Sequence, residues 1–347
     1  MTLATAGDGS PFYRIPALEV TTRGTVIAAY DARPTLSDLP GNIAVVVRRS
    51  SDHGRTWGAP IYARRDTAPF GFGDPSFVVD RETGRIFLFY ASSVRQGFFG
   101  SHAGNDERDP DILQADVSWS DDDGVSWSHR RITQAIKRRE WSSLFASSGA
   151  GIQLRHGPHK GRLIQQYVVR VGTAHFAASA MSDDHGATWR MGAPVGPGAD
   201  ENKVVELSDG RLMLNSRAKP HRKVAWSSDG GETWTGWRDE PQLLDPANNG
   251  AIIRQSPDAS PRAPESYWLL FSNTEHPTDR RNLTLKMSCD DGVTWPVKIV
   301  VDSGPAAYST IARLADGALG VLYERGPYRT IRFARLPMPA GCLTQGN

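Results

Sequence analysis

Cysteine is nearly absent. The 347 residues contain two, Cys289 and Cys342, too few for a disulfide scaffold and without the spacing of a metal-ligand set. One bridge between them and two separate thiols both stay open. Long apolar runs are also missing, so no segment reads as a membrane span. The opening MTLATAGDGS has neither a basic region nor an apolar stretch of the kind that marks an export signal. As written the chain reads as cytoplasmic; a signal peptide upstream would make it secreted and favour the bridge. An excess of one charge is lacking too. Lys plus Arg is 40 against 38 for Asp plus Glu, a formal +2, which gives no reason to expect nucleic acid as a partner. Nothing matches GxGxxG, GxxxxGK(S/T), GxSxG or HExxH, and HGPH (His156, His159) has no carboxylate pattern beside it. Nucleotide, serine-hydrolase and zinc chemistry therefore lack motif support, and no metal or cofactor is expected. Long capped helical stripes are absent as well.

What is present is a repeat. SSDHGRTW (50–57), SDDDGVSW (120–127), SDDHGATW (182–189), SSDGGETW (227–234) and SCDDGVTW (288–295) all fit S-x-D-x-G-x-(S/T)-W. Five such matches exceed chance by many orders of magnitude. The residue types are those of a structured turn. Asp bonds backbone amides, Gly supplies a positive φ, and Trp packs the turn on its sheet. The box carboxylates are thus read as structural, not catalytic.

Between boxes lie strand-like segments: 23–32, 84–93, 161–171, 210–218, 266–273 and 317–326, each opened by a Gly-containing or polar turn and rich in β-branched and aromatic residues. Box spacing of roughly 45 to 70 residues divides the chain into about six units. The expectation is an all-β, six-bladed β-propeller over residues 1–347, a single domain in which one unit lacks a box and strands from both chain ends close the ring. The long connection 95–110 is expected to wall a central pocket, or else to be a solvated insertion.

FYRIPAL (12–18) followed by these boxes resembles the sialidase (neuraminidase) superfamily, and the likeness is close to secreted actinobacterial exo-sialidases. It runs from Phe12 to about Glu324. The resemblance implies a six-bladed propeller that removes terminal α-linked sialic acid with retention and without a metal.

The residues make physical sense in those roles. Sialic acid carries a carboxylate on its anomeric carbon, and fixed bidentate arginines suit such a group better than lysines do. Arg14 (YRIP), Arg217 (LMLNSR) and Arg280 (HPTDRRNLTL) stand in the family's three arginine contexts. Of the adjacent Arg280 and Arg281 only one can face the substrate from a strand, and the resemblance selects Arg280. Glu324 (VLYERG) resembles the glutamate that orients the first arginine. A carboxylate nucleophile would be repelled by the substrate's anion, and sialidases are the tyrosine exception among retaining glycosidases. Tyr308 (GPAAYST) is in that position, where its small neighbours suit an exposed place in the funnel. A phenol needs a base. Glu201 and Glu206 in GADENKVVELSDG are equal candidates from the residues alone; the resemblance points to Glu201 and leaves Glu206 as a surface residue. Asp38 (YDARPTLSDLPG) matches the acid/base and Asp31 is its rival. Arg33 and Asp74 resemble ring-hydroxyl contacts, Phe98 borders an acyl-amide pocket, and Asn248 contacts the glycerol side.

In this reading Tyr308, assisted by Glu201, displaces the aglycone while Asp38 protonates the departing oxygen; water deprotonated by Asp38 then releases the sugar. Sialylated glycoproteins, glycolipids and oligosaccharides are the expected partners of a monomer. Two alternatives stand beside it: a trans-sialidase, including the intramolecular kind, and a non-catalytic sugar-binding propeller. NLT (282–284) is a formal glycosylation acceptor, discounted because it falls in a predicted strand. Pro16 is expected to hold Ile15 extended and so to aim Arg14.

Overall fold

The computed structural model describes residues 1–340; the pairing considered for Cys289 and Cys342 involves a residue outside these. Nearly all regular structure is β. The first sheet orders Phe12–Val20, Val26–Arg33, Ala44–Ser50 and Ile61–Arg64, and the next is built on Gly71–Val79, Ile86–Ser93 and Gln114–Ser120. A third centres on Leu163–Val171 and Ala174–Ser182, and a fourth on Asn202–Glu206, Leu212–Ser216, His221–Ser227 and Thr235–Leu244. The predicted strands fall within a few residues of these positions. The exception is 266–273, whose start is a 3₁₀ turn, Pro264–Tyr267, so the strand begins at Leu269.

The last sheet has seven strands, and its middle one is the 17-residue Val297–Arg313. The first half of this strand pairs with Arg281–Ser288 and the second with Leu319–Arg325. This one strand thus ties the two halves of the seven-stranded sheet together. Thr2–Thr5 pairs with Thr330–Leu336 at its edge, so both chain ends contribute to it. Neighbouring sheets touch in order around a ring, and Val297–Arg313 returns to pack on Phe12–Val20.

The apolar cores lie between sheets. Ala17, Ile27 and Val45 meet Phe77 and Leu88 of the next sheet, and Leu18, Val26 and Tyr30 meet Leu322 and Phe333 of the last. The octapeptide turns knit these layers. In the turn at Ser182, Asp184 accepts from the N–H and the hydroxyl of Thr188, while Ser182 Oγ accepts from Gly186 N. The same pattern recurs at Ser50, Ser120, Ser227 and Ser288. Gly186 needs its positive φ of 79° and leaves no room for a side chain, because a Cβ there would lie 2.1 Å from Phe87 Cζ. Trp189 then stacks edge-on against Phe87 and Phe89 of the preceding sheet.

Candidate active site

Three inner strands lose register at the residues expected to work. Phe12–Val20 shifts between Arg14 and Ala17, Gly71–Val79 between Gly73 and Ser76, and Val297–Arg313 between Ala306 and Ser309. A bulge re-aims a side chain out of the regular alternation. Here it turns Arg14, Asp74 and Tyr308 toward one end of the ring. The expectation of an extended Ile15 is corrected: its φ is 59°, as Asp74 before Pro75 has 63°. Proline disfavours the right-handed helical region for its predecessor, and the bulge takes the left-handed alternative. That geometry lets the Ile15 N–H and Arg14 Nε reach the same oxygen, Glu324 Oε1, at 2.8 and 3.1 Å.

Tyr308 is the hub. The guanidinium carbons of Arg14, Arg280 and Arg217 lie 5.2, 5.4 and 5.9 Å from its ring centroid. Its hydroxyl accepts at 2.8 Å from Arg217 Nη1, the same nitrogen that donates to Glu201. The expected exposed position is not what the chain adopts. Tyr308 is 6% exposed, because the three arginines crowd over it. Burial and Glu201 push its phenol well above the usual value, with Arg217, Arg14 and Arg280 opposing.

Glu201 is 2% exposed; Oε2 accepts from Arg217 at 2.6 Å and Oε1 from Ser148 Oγ at 3.1 Å. Burial alone would raise its carboxyl, but Arg217, the Tyr308 hydroxyl and Lys203 outweigh that and hold it below the usual range. An ionised acceptor therefore sits against a protonated phenol. Arg217 also faces Asp200 Oδ2 at 3.3 Å. Burial works against its charge, and Tyr308, Glu201 and Asp200 prevail.

Asp38 is 75% exposed on its loop, 2.6 Å from Arg33 Nη1 and 3.8 Å from Arg14 Nη1. Arg33 is buried and also donates twice to Asp31 Oδ2, at 3.0 and 2.7 Å. Asp31 is thus not a free carboxylate. Burial pushes it up to about 6 even with Arg33 beside it. It accepts the Asp74 N–H at 3.2 Å, and burial together with Asp31 raises Asp74 well above the carboxylate range. Phe98 packs edge-on against Phe145 and His175. The 95–110 connection presses on the Asp38 loop, since a Cβ at Gly97 would fall 1.7 Å from Leu39 O.

Arg280 turns toward Tyr308, whereas Arg281 is exposed beside Asp279 and His276. Two expectations do not hold. Asn248 is fully buried, with its side-chain amide donating to Thr274 Oγ1 and its backbone carbonyl accepting from Arg222; Ala247 before it has φ 64°. Glu206 is not a surface residue. It is 6% exposed, accepts the N–H groups of Arg155 and His156, and borders a cavity of about 370 Å³ at the other ends of the inner strands, beside Val20, Val79 and Ile311. A hollow of about 420 Å³ adjoins the site itself on the Arg217 side, bordered by His175, Asp200 and Lys219. Tyr328 was not foreseen. Its ring lies 4.3 Å from the Arg14 guanidinium carbon, and its hydroxyl accepts from Arg280 at 3.0 Å. Nothing in GPYRT marks it. Asp31 carried a signal, being two residues from Arg33 and so on its face of the strand.

A family profile described as a BNR repeat-like domain matches residues 24–321. The sialidase of Micromonospora viridifaciens is 53% identical over 92% of this chain, which spans 50% of that protein's length. Among solved structures, the Hadza microbial sialidase Hz136 is 32% identical with a TM-score of 0.86, covering 95% of this chain and 67% of that one. The chain belongs to the sialidase superfamily. The intramolecular trans-sialidase from Ruminococcus gnavus, at 21% identity and a TM-score of 0.84 over 97% of each chain, shares the fold. The ring of sheets is accordingly the β-propeller of sialidases.

Proposed function

We propose that this chain is an exo-α-sialidase that hydrolyses terminal α-linked sialic acid with retention through a tyrosyl intermediate. One observation carries the reading: Tyr308 lies under three guanidinium groups, and its hydroxyl shares Arg217 Nη1 with Glu201. Arg14, Arg217 and Arg280 form a clamp for the substrate carboxylate, and that clamp sets the anomeric carbon over the phenol. Glu201 takes the Tyr308 proton as the phenolic oxygen bonds to the anomeric carbon. Asp38 gives its proton to the departing oxygen; water then attacks the glycosyl-tyrosine bond, losing a proton to Asp38 while Glu201 returns one to the phenol. Arg33 and Asp74 serve the ring hydroxyls, Phe98 the acyl-amide pocket, and Glu324 fixes Arg14.

The test is hydrolysis of a fluorogenic α-sialoside followed by proton NMR, with wild type beside Tyr308→Phe and Asp38→Ala. Release of α-sialic acid first, with Tyr308→Phe down by about 10²-fold or more, is the expected result. A folded wild type that releases no sialic acid removes the reading, and full activity in Tyr308→Phe removes the nucleophile. The same spectra separate free sialic acid from a transferred or anhydro product.

A further inference from the structure

A buried chain of polar groups that the reaction above leaves unused reaches Glu201 through its Oε1. Lys203 is 3% exposed, and its ammonium donates to Asn249 Oδ1 at 3.1 Å and to Ser147 Oγ at 3.0 Å. Asn249, 1% exposed, donates through Nδ2 to Ser148 Oγ at 2.8 Å and to Ser148 O at 3.1 Å. Ser148, fully buried, donates to Glu201 Oε1.

The direction of these bonds follows from donor and acceptor counts. An ammonium has only donors, so the Asn249 atom facing it must be the oxygen, which turns both amide hydrogens toward Ser148. Ser148 Oγ already accepts one of them, so its single proton goes to Glu201. We propose that Lys203 is a positioning residue for the Glu201–Tyr308 pair, acting through Asn249 and Ser148 to keep a donor on Glu201 Oε1 and the carboxylate ready to accept the phenolic proton. The inference rests on Glu201 being the base.

Local structure supports the arrangement. Gly149 has φ 121°, and a Cβ there would approach Lys203 Cε to 3.0 Å, so the backbone leaves a slot for the lysine stem. Burial draws the ammonium down to about 7; Glu201 opposes that fall and Arg222 adds to it. The charged or titratable groups around Glu201 are Arg217, Tyr308, Asp200, Lys203, Arg222 and Asp74. Of these Lys203 is connected to it by hydrogen bonds that bypass the substrate clamp.

The experiment is the pH dependence of kcat/KM for a fluorogenic sialoside with wild type, Lys203→Met, Asn249→Asp and Ser148→Ala. Asn249→Asp is isosteric and still accepts from Lys203, but it offers Ser148 an acceptor instead of a donor. Loss of the chain raises the basicity of Glu201, so the acidic limb moves to higher pH by about half a unit or more in all three variants. The shift in Lys203→Met/Ser148→Ala is smaller than the sum of the two single shifts, because the hydrogen-bonded part is lost only once while the charge of Lys203 adds its own share. Acidic limbs that coincide with wild type, with only kcat reduced, overturn the proposal. Ser148→Ala removes one oxygen and decides the matter if Lys203→Met does not fold. Glu201→Gln separates the two layers: wild-type activity there defeats the base assignment, whereas lost activity with unmoved limbs in the other variants defeats only the role of Lys203.

Discussion

Glu324 holds Tyr308 by its backbone: Oε2 accepts the Tyr308 N–H at 3.1 Å, while Oε1 accepts from Arg14 Nε and Ile15 N. One fully buried carboxylate thus spaces the nucleophile against the first arginine of the clamp. Glu324→Gln has a single acceptor oxygen and two donors, so it cannot serve both sides. Glu324→Ala is expected to cost ~3–5 kcal/mol by leaving Arg14 buried without its partner. Thermal denaturation reads this, and kcat/KM falls in both variants. A Glu324→Gln enzyme with wild-type kcat/KM contradicts the shared role.

Arg217 is expected to tolerate no lysine. Its Nη1 bridges Glu201 and Tyr308, and a point charge cannot keep both bonds while receiving a substrate carboxylate. Arg217→Lys should lower kcat/KM by ~10²-fold, with far-UV circular dichroism unchanged.

Asp31 sets a stability slope with pH. An acid whose folded pKa, about 6, exceeds its ordinary unfolded value favours the folded state when protonated. Its stabilising effect is complete below about pH 4 and is lost as pH rises through about 6. In Asp31→Asn the melting temperature should change less than in wild type between these limits. Parallel wild-type and variant curves over that interval would count against the shift.

Gly97 keeps the acid/base loop in place. A Cβ there would lie 1.7 Å from Leu39 O, the residue after Asp38, and one at Gly71 equally close to Gly41 O. Gly97→Ala must displace the Asp38 loop, and Asp38 is the exposed member of the site. We expect kcat/KM to drop ~10-fold or more while the melting temperature moves little, since a misplaced group costs rate faster than stability. Loss of stability without loss of rate would show that the loop yields elsewhere.

The repeat made the fold legible, because each octapeptide closes on itself within a few residues: Asp184 with Thr188, Ser182 with Gly186. The arginines were legible through their sequence contexts. What escaped depends on local turns and on partners from distant strands. Asn248, fully buried, follows one positive φ at Ala247, which no periodicity announces. Tyr328 matters only because a loop of the last sheet folds over Arg14 from the first. Lys203 lies two residues from Glu201, yet its link to it runs through Asn249 and Ser148, from two other segments.

Arg14 belongs to the first sheet and both Tyr308 and Glu324 to the last, whereas Arg280 accepts through its carbonyl from Ala306 N, two residues before Tyr308 on the unbroken strand Val297–Arg313. The seam at which the ring meets itself therefore divides the clamp, with Arg14 on one side and Arg280 and the nucleophile on the other. A chain that has formed all its strand pairs except that of Thr2–Thr5 with Thr330–Leu336 has all its reactive groups and no complete site. Appearance of turnover during refolding is then a direct clock for ring closure, later than the clock kept by strand formation.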